Sequence, residues 1–188
     1  MRRQLAPAIR MFLLMTMLTG VAYTMVVTGI ATVVFPEQAA GSLVESEDGV
    51  VGSRLIGQSF TSVDSFQPRP SAVDYDASGS GASNLGPTNP KLIEAVTGRV
   101  AYYRTLNGLD ASTPVPIDAV TSSASGLDPH ISVANARLQA SRVARERGLP
   151  LTTVMELVDR HTVNPDLGFL SEPAVDVLAL NLDLDSLG

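Results

Sequence analysis

The chain has 188 residues, thirteen of them basic and nineteen acidic, with a net charge of −6 (histidines neutral) and no cysteine. That length suits one compact domain plus an appendage. The acidic balance disfavours nucleic acid and anionic lipid as partners, and no disulfide can staple the fold.

The first element is an apolar run. From Met11 to Phe35 the chain passes 25 residues without a charge. As a helix rising about 1.5 Å per residue, such a run exceeds the roughly 30 Å hydrocarbon core and can span it with some tilt. A cleaved secretory signal is the alternative, because Arg2, Arg3 and Arg10 precede the run and Ala39, Ala40 and Gly41 follow it. Signal h-regions reach only about 7–15 residues, so an uncleaved anchor is expected. Glu37, Glu45, Glu47 and Asp48 follow the span and only arginines precede it. The positive-inside rule then makes residues 1–10 cytoplasmic, 11–35 transmembrane and 36–188 a single extracytoplasmic domain. Without the three N-terminal arginines that outer part carries −9. Solubility is the ordinary reading of such a charge, and a mild concentration of cations the other.

Within the span, Thr16, Gly20, Thr24, Thr28 and Thr32 recur every four residues. This spacing lays small side chains along one stripe, the kind of face on which membrane helices approach each other closely. A membrane partner for the anchor is therefore expected, although threonine and glycine are common in membrane helices in any case.

Residues 36–48 read as a short polar exit. Gly49 to Phe60 mixes Val50, Val51, Leu55 and Ile56 with glycines, predicting short strands and tight turns. Pro68 to Pro90 has loop chemistry, and a loop of that length inside a compact domain is often functional. Asn89 as cap and Pro90 at the first position open a helix that Gly108 ends. Val115–Val120 reads as a strand. A second helix starts after Asp128–Pro129 or at Ser132 and runs to about Arg147, with Gly148 beyond it. A third, short helix opens on a capping box, Thr153 and Glu156, and reaches about His161. Val175 to Asp185 alternates apolar and polar residues and predicts a half-buried strand. The fold class is one N-terminal transmembrane helix followed by an α/β or α+β domain.

Catalytic patterns fail on spacing. There is no phosphate-binding G-x-x-x-x-G-K-[ST] loop, and Gly79 to Gly86 does not satisfy G-x-G-x-x-G because Asn84 holds the last position. Ser122 to Gly126 lacks the G-x-S-x-G elbow. Ser125, His130 and Asp118 are the right residue types for nucleophile, base and orienter, which keeps a membrane-anchored envelope hydrolase as an alternative. A small-solute-binding module is another, disfavoured by the scarcity of aromatic residues: no Trp, four Tyr, five Phe. His130 and His161 are the only histidines, so no metal site is expected. Asp183 and Asp185 read as a solvated face, and Asp128 before Pro129 as a helix cap or turn.

Several dense segments together resemble one family. They are Gly52-Ser53-Arg54-Leu55-Ile56-Gly57-Gln58-Ser59-Phe60, Arg69-Pro70-Ser71-Ala72, Ala82-Ser83-Asn84-Leu85-Gly86-Pro87-Thr88-Asn89-Pro90 and Val115-Pro116-Ile117-Asp118-Ala119-Val120-Thr121. Ser125-Gly126-Leu127-Asp128-Pro129-His130-Ile131-Ser132, Gln139 with Arg142-Val143-Ala144, and Val177-Leu178-Ala179-Leu180-Asn181 complete the set. In this order, behind an N-terminal anchor, the chain resembles the C subunit of Kdp potassium-transporting P-type ATPases over nearly its whole length. Ala82, Ala124, Ser171 and Asp176 depart from the family pattern.

The resemblance implies a non-catalytic accessory subunit in a bacterial plasma membrane. Its implied partners are a catalytic P-type subunit that hydrolyses ATP, a channel-like potassium-binding subunit and a small membrane subunit, besides the lipid bilayer itself. No Asp-Lys-Thr-Gly-Thr phosphorylation motif occurs in this sequence. The resemblance also implies a catalytic chaperone that raises the ATP affinity of the catalytic subunit and itself touches nucleotide. The expected topology puts residues 37 onward across the membrane from cytosolic ATP. No directly bound cofactor is therefore expected, and any effect on ATP affinity would be allosteric. The candidate partner contacts are Gly20, Thr24 and Thr28 in the span, and Arg69, Ser83, Asn84, Ser125, Asp128 and His130 in the loops.

Overall fold

The computed structural model describes residues 2–46 and 49–187. The chain divides into two compact units, one up to Ser53 and one from Arg54 onward.

The first unit begins with a helix long and apolar enough to cross a membrane, Arg3–Val34. It starts before the apolar run, tolerating Pro7, and contains three parts: α1 (Arg2–Met15), a π-helical stretch (Thr16–Ala22) and α2 (Tyr23–Val34). None of the residues from Thr16 to Val34 is buried. Four residues of an α-helix turn through about 400°, so an every-fourth stripe drifts by about 40° per step. The π turn takes more residues per revolution and offsets that drift in the half where Thr16 and Gly20 lie. The hydroxyls of Thr24 and Thr32 donate to carbonyls of their own helix, those of Thr19 (3.4 Å) and Thr28 (3.0 Å). Such internal pairing suits a segment in lipid, where no water can satisfy them.

Phe35 leaves helical geometry (φ −132°, ψ 59°), and Pro36 opens a one-turn helix, α3 (Pro36–Ala39). An antiparallel hairpin follows, β1 (Leu43–Ser46) with β2 (Gly49–Ser53), carrying a bulge at Val44/Glu45. The expected strand from Gly49 is present but stops at Ser53, and its partner lies within the segment read as a polar exit. Two acidic residues of that exit, Glu47 and Asp48, lie outside the described residues.

The second unit opens with residues 54–89, which have no helix or strand. Then comes α4 (Pro90–Asn107), built as its sequence predicts. Asn89 caps Lys91 N at 2.9 Å, Pro90 takes the first position, and Gly108 closes the helix at φ 63°. Val115–Val120 is not a strand: Ile117–Val120 forms a single turn, α5, after Pro116. A short apolar run fits either state, and proline's fixed φ near −60° starts a helical turn here.

β3 (His130–Ser132) leads into α6 (Val133–Arg147), with Ser132 Oγ accepting from Asn135 N and Gly148 ending the helix at φ 64°. The next helix, α7 (Leu151–Arg160), begins behind Pro150, so Thr153 sits inside it and does not cap it. After β4 (Thr162–Val163), a 3-10 turn (Asp166–Gly168) precedes β5 (Ala174–Asp176), and the chain finishes in α8 (Val177–Asp185). The terminal strand predicted over 175–185 is therefore only three residues long. Leucines at 178, 180, 182 and 184 alternate, but Val177, Leu180, Asn181 and Leu184 also share a helical face, and that face is buried. Asp176 decides the matter by capping Ala179 N at 3.0 Å.

The strands form an antiparallel sheet in the order β3–β5–β4. Ile131 and Val175 from this sheet meet Ala140 and Val143 of α6, Val154 and Val158 of α7, and Leu180 and Leu184 of α8 in one apolar core. Phe66, from the long loop, is fully buried in the same core.

Candidate functional site

Helix α6 has two buried stripes. Ala136, Ala140 and Val143 supply the apolar one; Asn135, Gln139 and Arg142, spaced four and three apart, supply a polar one. The polar stripe holds the long loop. Gln139 is saturated: its Oε1 accepts from Gln67 N (2.8 Å) and an Arg142 Nη (2.9 Å), and its Nε2 donates to Gln67 O (3.0 Å) and Asn135 Oδ1 (2.9 Å). Asn181 of α8 grips the neighbouring residue, accepting from Phe66 N at 2.8 Å and donating to Phe66 O at 2.9 Å. Amide side chains thus replace the strand partner that this backbone lacks.

Arg142 is the largest fully buried side chain, 1% exposed. Its guanidinium donates to Ser65 O (3.1 Å), Asn107 Oδ1 (2.9 Å), Gln139 Oε1 (2.9 Å) and Val63 O. All are neutral acceptors, and among the described residues no carboxylate pairs with it. Burial pulls its pKa below the usual arginine range. Five fixed donors still let one side chain organise several carbonyls at once.

On both sides of Phe66 the loop meets residues 121–130 and is stitched to them. Ser123 N donates to Pro70 O (3.3 Å), Ser71 Oγ to Gly126 O (2.7 Å), Gly81 N to Ser125 O (2.8 Å) and Gly57 N to Leu127 O (2.8 Å). Two glycines are required by this contact. A Cβ on Gly57 would lie 2.4 Å from the Asp128 carbonyl oxygen. Gly126, at φ 69°, has Gly81 O 2.9 Å from where a Cβ would stand. The segment that reads as a linker is thus a built surface.

The expected loop residues divide between the stitch and its rim. Arg69 pairs with Asp128 at 2.9 Å, each about a quarter exposed. Asp128 caps no helix: its other oxygen accepts from His130 N (3.0 Å), closing an Asx turn ahead of β3. His130 Nδ1 lies 3.8 Å from that same oxygen. Ser125 Oγ accepts from Leu127 N at 3.1 Å. Ser83 and Asn84 are exposed, with Asn84 at φ 53°. Gly20, Thr24 and Thr28 lie on the other unit's helix. The hydrolase constellation does not assemble among the described residues. Asp118 is taken by Ser132 Oγ (2.9 Å) and Asn135 Nδ2 (3.0 Å), while His130 faces Asp128. His161 Nε2 lies 2.7 Å from Asp183, Arg160 pairs with Asp183 at 3.6 Å and Arg147 with Asp185 at 2.6 Å, so the two terminal aspartates are solvated, 42% and 62% exposed, and also paired.

Between the loop and α4 lies a cavity of about 240 Å³. Three of the four tyrosines line it, Tyr75, Tyr102 and Tyr103, along with Phe60 and Arg99. Tyr103 is anchored through its hydroxyl to Asn135 Oδ1 (2.8 Å), and Tyr75 donates to Arg69 O (2.6 Å). Burial pushes the Tyr75 phenol up to about 12 and raises Tyr103 as well. Asp74 and Tyr75 are successive non-glycine residues at φ 52° and 59°, a costly conformation that Ser71 Oγ supports by accepting from Tyr75 N. A count of aromatic residues underestimates this cavity because it ignores where they gather. The polar stripe was also readable, since Asn135, Gln139 and Arg142 share one face of a helix whose start and stop signals are plain.

Comparison with known proteins adds a family match. Residues 5–186 match the family model KdpC, described as K+-transporting ATPase, c chain. The chain is 53% identical over 189 residues to the "Potassium-transporting ATPase KdpC subunit" of Mycobacterium tuberculosis (strain ATCC 25618 / H37Rv), covering all of both chains. It is 54% identical to the protein of the same name from Polaromonas naphthalenivorans (strain CJ2), covering all of this chain and 96% of that one. The likeness to the Cereibacter sphaeroides (strain ATCC 17029 / ATH 2.4.9) protein is 50% over 188 residues, the full length of both.

Proposed function

The chain belongs to the KdpC family, the c chain of K+-transporting ATPases, and from that premise we propose that it is a non-catalytic, single-span subunit that assembles and supports an ATP-driven potassium uptake pump. In this reading residues 1–10 are cytoplasmic, residues 11–35 span the membrane, and residues 36 onward lie outside. The anchor's face with Gly20, Thr24 and Thr28 packs on another membrane helix of the complex. The outer unit sits at the external mouth of the channel-like subunit and meets it with loops 68–90 and 122–132.

One observation carries the proposal: these two loops are stitched to each other by backbone hydrogen bonds and backed by a buried polar lattice. A surface ordered in advance loses little entropy on docking, as a protein-contact face should. ATP hydrolysis belongs to a separate catalytic subunit. Any rise in ATP affinity caused by this chain passes through the membrane helices as a coupling between distant sites.

The test is a pull-down from cells grown at limiting potassium, using the C-terminally tagged chain in mild detergent. Recovery of a P-type ATPase and a channel-like membrane protein in fixed ratio is the expected result. A lone chain, with those partners expressed, would refute it.

A further inference from the structure

The cavity between the loop and α4 has the features of a ligand site. Its floor is closed by groups already paired, Tyr103, Asn135 and Gln139. Its mouth is different: the hydroxyls of Ser59, Thr61 and Tyr102 line it and make no hydrogen bond among the described residues. Among the described residues Arg99 contributes the only charge in the lining. One of its Nη groups donates to Val120 O at 3.1 Å, which fixes the guanidinium, and no ion pair engages it among the described residues.

A fixed guanidinium with open donors recognises a planar oxyanion. The apolar part of the lining, which includes Pro68, Pro70 and Ala119 as well as aromatic rings, suits a flat hydrocarbon body. At about 240 Å³ the space exceeds the roughly 150 Å³ that admits benzene and falls short of the roughly 300 Å³ and upward of drug-sized sites. We propose that this cavity binds a small carboxylate carried on a flat apolar body, its charge received by Arg99 and its body held against Tyr75 and Tyr102. The strained Asp74–Tyr75 pair is then the backbone adjustment that turns the Tyr75 ring into a wall of the site.

The experiment is a calorimetric titration of the full chain in detergent with benzoate, benzamide and inorganic phosphate as separate probes. Saturable one-to-one binding of benzoate is expected, with benzamide and phosphate each weaker by about tenfold or more. Arg99→Gln should weaken benzoate by a similar factor while leaving thermal unfolding in place. No saturable benzoate binding, or benzamide binding as tightly as benzoate, overturns the proposal. Phosphate binding as tightly as benzoate overturns the carboxylate assignment. The benzamide comparison uses the unmodified chain, so the proposal stays testable if the Arg99 variant does not fold.

Discussion

Helices α2 and α6 are of comparable length and opposite behaviour. The twelve residues of α2 are almost wholly apolar and bury nothing within the chain. The fifteen of α6 are rich in arginine and amide side chains, yet seven of them are buried, including Asn135, Gln139 and Arg142. The contrast teaches that apolarity tells a helix which solvent it suits, whereas buried polar atoms tell it which shape to hold. A lipid-compatible helix satisfies its backbone internally and leaves only a packing face to specify a neighbour. A polar stripe in a protein interior must be matched donor by donor, so it accepts one loop conformation and rejects others.

The largest expected effect attacks the second half of that contrast. Arg142→Met removes the donors of Ser65 O, Val63 O and the amides of Asn107 and Gln139. Thermal or denaturant unfolding of the full chain in detergent should show the unit from Arg54 onward losing about 3–5 kcal/mol. A loss below about 1 kcal/mol would mean that the polar lattice does not hold the loop.

Next comes the stitch itself. Gly57→Ala forces a Cβ against the Asp128 carbonyl and should cost about 2–3 kcal/mol. Gly86→Ala, in the same long loop but with nothing within 4 Å of the new Cβ, should stay within about 0.5 kcal/mol. Equal effects from the two would show that the contact between the loops is not what limits them.

The anchor side is sharpened by a matched pair of substitutions. The Cβ positions of Gly20 and Gly29 are both open within the chain itself, with a single 3.9 Å neighbour, Thr16 Cγ2, at the first and none at the second. Only Gly20 belongs to the stripe. Gly20→Ile should reduce co-purifying partner by about fivefold, equivalent to about 1 kcal/mol, whereas Gly29→Ile should leave recovery unchanged. Matching losses, or none, would dispose of the packing face.

The smallest effect lies at alkaline pH. Burial raises the phenols of Tyr75, to about 12, and Tyr103 above the ordinary value. A raised folded pKa contributes stability that is complete below the unfolded value of about 10 and is lost as pH climbs from there toward the folded one. Phenolate absorbance should therefore show Tyr75 and Tyr103 titrating late, with stability declining above about pH 10. Tyr75 and Tyr103 titrating near the ordinary value in the folded chain would contradict their burial.

Legibility in the sequence followed locality. The cap at Asn89, the helix start at Ser132 and the glycine stops at Gly108 and Gly148 depend on neighbours within a turn and appear where expected, while the apolar helix is present but begins before the apolar run. The capping box at Thr153 failed because Pro150 starts the helix one turn earlier. The terminal strand failed because alternating leucines fit two periods, and the Asp176 cap together with packing on α7 and the sheet selects the helical one. Among the candidate site residues, Arg69, Ser125, Asp128 and His130 meet in or beside the stitched loops, but Asn135, Gln139 and Arg142 hold those loops in place.

By itself the sequence determined that this chain carries a membrane-compatible helix ahead of a polar, disulfide-free unit, and its motif order determined the family. Those are properties of composition and short-range pattern, and they need no knowledge of which distant residues meet. Only the tertiary structure decided that residues 54–89 are an ordered surface, that an arginine with no ion pair among the described residues sits at its base, and that three tyrosines gather around one cavity. Each of these joins groups dozens of residues apart in the chain. The free energy of such meetings depends on three-dimensional complementarity, which no local pattern encodes.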